Sequence, residues 1–137
     1  MIAFLDASAL IYLIEGAAPL AAQTRQCLAR LQAAHDGHLR AAVSRLTWLE
    51  CRVGPLKTGD VALLADYDAF FARPDLLTVE LTAQVVELAT VIRARHGLKT
   101  PDALQAACCL QLGAAHVLVT GDVAFSRVPG LKVERIG

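Results

Sequence analysis

The sequence predicts an α/β protein with an open, mostly parallel sheet and helices on both faces. Three observations carry this expectation. Short apolar runs alternate with longer stretches of helical periodicity along the chain. Two runs, IAFL at 2–5 and HVLVT at 116–120, read as strands buried on both faces, as parallel strands are. The 137 residues are 55% hydrophobic and 19% charged, enough to bury a real core in one domain over residues 1–137.

The elements follow in order. IAFL ends at Asp6, and a helical pattern covers 8–14. Pro19 opens a longer helix to about residue 35, and HDGH at 35–38 is a turn. LRAAV at 39–43 is the second strand. Ser44 caps the helix RLTWLECRV, which is expected to end before Gly54 and Pro55. A helix spans about 60–73, and LLTVEL at 76–81 is a strand. Thr82 caps a helix lasting to His96, with Gly97 as its stop. Thr100 reads as the next cap and Pro101 as the first helical residue, with the helix ending at Gly113. LKVERI at 131–136 alternates and closes the sheet as an edge strand.

Thirteen basic and thirteen acidic residues cancel, so net charge points to no nucleic acid. Cys27, Cys51, Cys108 and Cys109 have no metal-site spacing and read as core residues of a reducing compartment. The N-terminus lacks a basic region, and no apolar run reaches the ~18 residues that span a bilayer. A cytoplasmic protein with no membrane partner is expected. His35, His38, His96 and His116 show no ligand spacing, and no GxGxxG is present.

In a parallel α/β sheet, helix N-termini and strand C-termini share one edge, where ligands bind. Asp6 ends the first strand, Asp122 follows a later one, and Asp102 opens a helix. Glu50 lies ~9 Å along its helix, and helical side chains lean back toward the N-terminus. Four carboxylates are therefore expected to converge. Taken singly, each has a simpler explanation: Asp6 as a helix cap, Asp122 as a turn residue, Asp102 as a charge favoured by the helix dipole, and Glu50 as an exposed partner of Arg45 or Arg52. Taken together they repel, and a cleft of like charges needs a cation. Oxygen-only donors suit Mg²⁺ or Mn²⁺.

FLDASALIYL at 4–13, Glu50 within LTWLECRV, KTPDALQAA at 99–107 and LVTGDVAF at 118–125 together resemble the PIN domain, most closely the small VapC-type toxins of toxin–antitoxin pairs. The resemblance implies a three-layer α/β/α fold on a five-stranded parallel sheet, PIN-like and Rossmann-like. It implies a Mg²⁺- or Mn²⁺-dependent endoribonuclease that leaves a 5′-phosphate and a 3′-hydroxyl. Asp6, Glu50, Asp102 and Asp122 fall on the family's catalytic acids and are the expected metal ligands, with Ser8 and Thr120 supporting them. The expected partners are an RNA substrate, with tRNA and rRNA as candidates, and a cognate antitoxin.

The apolar excess, with family habit, suggests a homodimer through helices near 8–14, 60–73 and 82–96. Arg45, Arg52, Arg93, Arg95, Lys99 and Arg127 are candidate phosphate contacts, each more simply a solvated surface charge. Two other functions compete. One is a PIN-like RNA- or partner-binding module without turnover. The other is a metal-dependent phosphohydrolase, which lacks support because Asp6 is followed by Ala7 and Ser8 rather than by a DxD pair.

Overall fold

The computed structural model describes residues 1–137. Five strands, β1 (Ile2–Leu5), β2 (Arg40–Ser44), β3 (Leu77–Val79), β4 (His116–Thr120) and β5 (Val133–Arg135), form one sheet in the order β3-β2-β1-β4-β5. Every neighbouring pair is parallel. The helices are α1 (Ala7–Glu15), α2 (Leu20–Ala34), α3 (Arg45–Thr58), α4 (Val61–Phe71), α5 (Ala83–His96) and α6 (Thr100–Leu110). The sheet with helices on both faces is the α/β/α architecture expected from the alternating pattern.

Strand periodicity sorts the core into two halves. Phe4, Ala42 and Leu118 face one side and pack with Val85 and Ile92 of α5 and Ala103–Cys109 of α6. Ala3, Leu5, Val43, Val117 and Val119 face the other, against Ala9, Leu10, Leu31, Cys51, Tyr67 and Phe71 of α1–α4. Trp48 joins this second half, its ring stacked 4.7 Å from that of Phe71. All four cysteines are free and buried, as expected. Burial pushes the Cys51, Cys108 and Cys109 thiols up to about 12, leaving them protonated and inert.

Several boundaries differ from expectation. Helix α3 does not stop before Gly54 and Pro55 but runs through them to Thr58. Pro55 forgoes one backbone hydrogen bond, yet it is buried, and Gly59 ends the helix in the left-handed region with its N–H on the Pro55 carbonyl. In α6, Lys99 occupies the cap position without a side-chain bond, and Thr100 is the first helical residue. That helix ends at Leu110 rather than Gly113. β3 and β5 are three residues each, shorter than the apolar patterns that mark them. A 3₁₀ turn over Val123–Arg127 was not expected. No helix is long and apolar enough to cross a membrane.

Candidate active site

The central strand β1 delivers Asp6 to the C-terminal edge of the sheet. Its backbone is extended (φ −77°, ψ 177°), so its side chain caps α1. Oδ1 accepts from the Ala9 N–H at 3.0 Å and from the Ser8 hydroxyl at 2.7 Å. Oδ2 accepts from the Thr120 hydroxyl. The carboxylate is buried, 6% exposed.

Both hydroxyls also tie down the turn after β4. Ser8 Oγ accepts from the Gly121 N–H and Thr120 Oγ1 from the Asp122 N–H, each at 2.9 Å. Each hydroxyl has one proton and spends it on Asp6, which sets Asp6 as an acceptor on both oxygens. Asp122 in turn caps the 3₁₀ turn, accepting from the Ala124 N–H at 2.9 Å. Gly121 leaves room for Tyr12: a Cβ there would meet the phenol end of that side chain, which would have to move aside.

Glu50 arrives from the second turn of α3 and is half-buried. Its Oε1 accepts from Gln105 Nε2 at 2.9 Å. It pairs with neither Arg45 nor Arg52: Arg45 bonds Glu80 at 2.6 Å and Arg52 lies 3.5 Å from Asp68. Asp102 sits in the first turn of α6.

These residues meet around one cavity. A space of about 170 Å³ is lined by Asp6, Ala7, Ser8, Glu50, Asp102, Gln105 and Asp122. All four acids singled out from the sequence line it, with Ser8. Thr120 lies behind Asp6, fully buried. None of the six candidate basic residues lines it, which removes them as direct contacts at this cavity. A larger hollow of about 410 Å³ between α5 and α6 is mostly apolar and gathers no comparable group of acids. Gln105 escaped the sequence reading. Its signal was a polar residue three positions after Asp102 on an otherwise apolar helix, hence on the same face.

The electrostatics follow from burial and like charge. Desolvation raises the pKa of Asp6, opposed by the donors Thr120, Ala9 and Ser8, and the Asp122 charge adds to the rise. Glu50 is raised by desolvation and by Asp6 and Asp102, against the Gln105 bond. Asp102 is raised by desolvation and by Asp122 and Asp6, with Lys99 opposing. An acid raised by folding contributes stability below its ordinary pKa and loses it as pH rises through the folded value. With EDTA present, these three acids are therefore expected to pull the melting temperature down from pH 4 toward neutrality, the ordinary values being 3.8 for Asp and 4.5 for Glu. The double substitution Glu50→Gln, Asp102→Asn should flatten that slope in thermal denaturation, and an equal slope in both proteins would contradict it.

A family model for the PIN domain matches residues 3–131. The chain belongs to the PIN-domain family. Solved structures share the fold of this PIN domain at low identity. VapBC2 from Rickettsia felis, bound to a DNA fragment from its promoter, is 21% identical over 100% of both chains with a TM-score of 0.77. VapBC-1 from nontypeable Haemophilus influenzae is 19% identical over 98% of both chains, with a TM-score of 0.72. VapC20 of Mycobacterium tuberculosis, a sarcin-ricin loop cleaving toxin, is 18% identical over 90% of this chain and 92% of its own, with a TM-score of 0.68. No curated protein sequence matches this PIN domain significantly.

Proposed function

We propose that this PIN domain is a metal-dependent endoribonuclease and the toxin of a toxin–antitoxin pair. The observation that carries the proposal is the cavity lined by four carboxylates and no lysine or arginine. Their oxygens suit a hard divalent ion, and their mutual repulsion favours its entry. No three acidic, histidine or cysteine side chains close around a single point, so there is no ready-made cage for a bare ion.

Asp6, Asp102 and Asp122 would hold the ion directly or through water, and Glu50 would hold a metal-bound water or a second ion. A bound Mg²⁺ or Mn²⁺ polarises a phosphoryl oxygen and makes water more acidic. Ser8 and Thr120 keep Asp6 fixed by donating to both its oxygens, and those bonds oppose the rise in pKa that desolvation imposes. The turn of Gly121 and Asp122 is locked to the same two hydroxyls, so Asp6 and Asp122 are held as one unit. RNA of the tRNA or rRNA class is the proposed substrate, supported by the shared fold with a toxin named for cleaving the sarcin-ricin loop. The VapBC assemblies of that fold support a cognate antitoxin as partner.

A homodimer is also proposed. Leu49, Val53 and Leu56 of α3, Val61 of α4, and Val86 and Val91 of α5 are exposed apolar side chains that a partner surface would cover. Sedimentation at micromolar concentration should return the dimer mass, and a concentration-independent monomer would oppose it.

Incubating the purified protein with tRNA and rRNA, with Mg²⁺ or EDTA, tests the function. The expected result is cleavage with Mg²⁺ to 5′-phosphate ends, abolished by EDTA. RNA binding without cleavage would replace the enzyme with a binding module, and hydrolysis of a chromogenic phosphate ester alone would replace it with a phosphohydrolase.

A further inference from the structure

Gln105 is the polar exception on the buried face of α6, only 2% exposed. Both its N–H groups and its oxygen are engaged. Oε1 accepts from Ser44 Oγ at 2.7 Å, and Nε2 donates to Thr47 Oγ1 at 2.8 Å and to Glu50 Oε1 at 2.9 Å. Ser44 and Thr47 are themselves fully buried and joined by the cap of α3, where the Thr47 N–H donates to Ser44 Oγ at 3.2 Å. This network sets the amide one way round. Reversed, it would point its oxygen at a carboxylate oxygen and leave the Ser44 proton facing an N–H.

We propose that Gln105 is a positioning residue, which aims the Glu50 carboxylate into the acid cavity. The inference rests on the nuclease reading above and adds to it a residue at the cavity wall that acts through Glu50. A glutamate has three rotatable bonds, and Asp6 and Asp102 repel the charge this one carries. One oxygen held by Gln105 leaves the other for the cavity. The anchor is neutral, and that matters: a lysine or arginine here would also hold Glu50 but would cancel the charge that attracts a cation. Because Gln105 follows Asp102 by one helical turn, α6 presents one acid of the site and the anchor of another on the same face.

The test is Gln105→Leu, close in volume but without donors, alone and with Glu50→Ala. In crystals of the single variant, Glu50 is expected to leave the cavity. Its kcat on RNA should fall by about 10-fold or more, with KM unchanged within about 2-fold. In the Glu50→Ala background the same substitution should change kcat by less than about 2-fold. A Glu50 that stays in place would overturn the proposal, as would an equal further loss of kcat in the Glu50→Ala background, since that marks a merely structural role. If Gln105→Leu does not fold, Gln105→Met enters the same cycle with the same expectations, because it keeps the length of the side chain, stays neutral and lacks the donor to Glu50. Should the unaltered protein fail to cleave RNA, the nuclease reading falls, and the position of Glu50 in the variant crystals still decides whether Gln105 aims it.

Discussion

Replacing Asp6 with asparagine is expected to lower RNA cleavage by at least about 100-fold, since even groups that merely support a metal ligand are worth ~10–100-fold. The protein should remain folded. Asparagine keeps an oxygen for the Ala9 N–H and the Ser8 hydroxyl, the two donors on Asp6 Oδ1. Its NH₂ group then meets Thr120 Oγ1, and a hydroxyl can turn from donor to acceptor. The substitution also removes the charge whose desolvation raises the Asp6 pKa. At neutral pH in EDTA the melting temperature should therefore hold or rise. Undiminished cleavage would remove Asp6 from the site, and a collapsed melting temperature would show that its charge is needed for folding.

Thr120→Val is the second substitution with a large effect. Valine matches the shape of threonine and loses only the hydroxyl. The position is fully buried, so water cannot replace what is lost. Asp6 Oδ2 would lose its donor and the Asp122 N–H its acceptor. A hydrogen bond to a charged group is worth about 1.5–3 kcal/mol, which sets the expected loss of stability in denaturant unfolding. Activity should fall ~10–100-fold, because Asp6 and the Asp122 turn lose their shared tie. The penalty is expected to shrink when the partner is asparagine rather than aspartate, since a hydrogen bond between the hydroxyl and a neutral amide is worth less than one to a carboxylate. Equal penalties in the two backgrounds would show that the hydroxyl serves packing rather than the carboxylate.

The parts of the fold and site that were legible in the sequence are those written in local patterns. IAFL and HVLVT are apolar without interruption because both faces of β1 and β4 are covered by helices. Ser44 and Thr82 announce α3 and α5 because each accepts from a backbone N–H three residues on. Asp6, Asp102 and Asp122 stand at junctions of elements, where a parallel sheet gathers its side chains. Less legible were features set by tertiary contact. Pro55 reads as a helix stop because its missing N–H is local, whereas its burial is not. Glu50 reads equally as a surface residue. Only the approach of α6, with Gln105 facing it, distinguishes the two, and no spacing along the chain encodes a pair separated by 55 residues. Gly121 looked like a turn residue, but it also leaves room for the Tyr12 side chain.

The strand order has a consequence for when the acid cavity assembles. β1 is synthesised first yet lies at the centre of the sheet, and it pairs with β4 from near the other end of the chain. The hydrogen bond from Thr120 to Asp6 closes a separation of 114 residues. Contacts of that span form slowly, because the entropy of closing the loop is lost before the contacts repay it. On the ribosome, a chain whose β4 is still inside the exit tunnel has Asp6 without its Thr120 donor and no Asp122 turn at all. Such a chain carries no complete site, so the four acids come together only after β4 has left the tunnel and paired with β1.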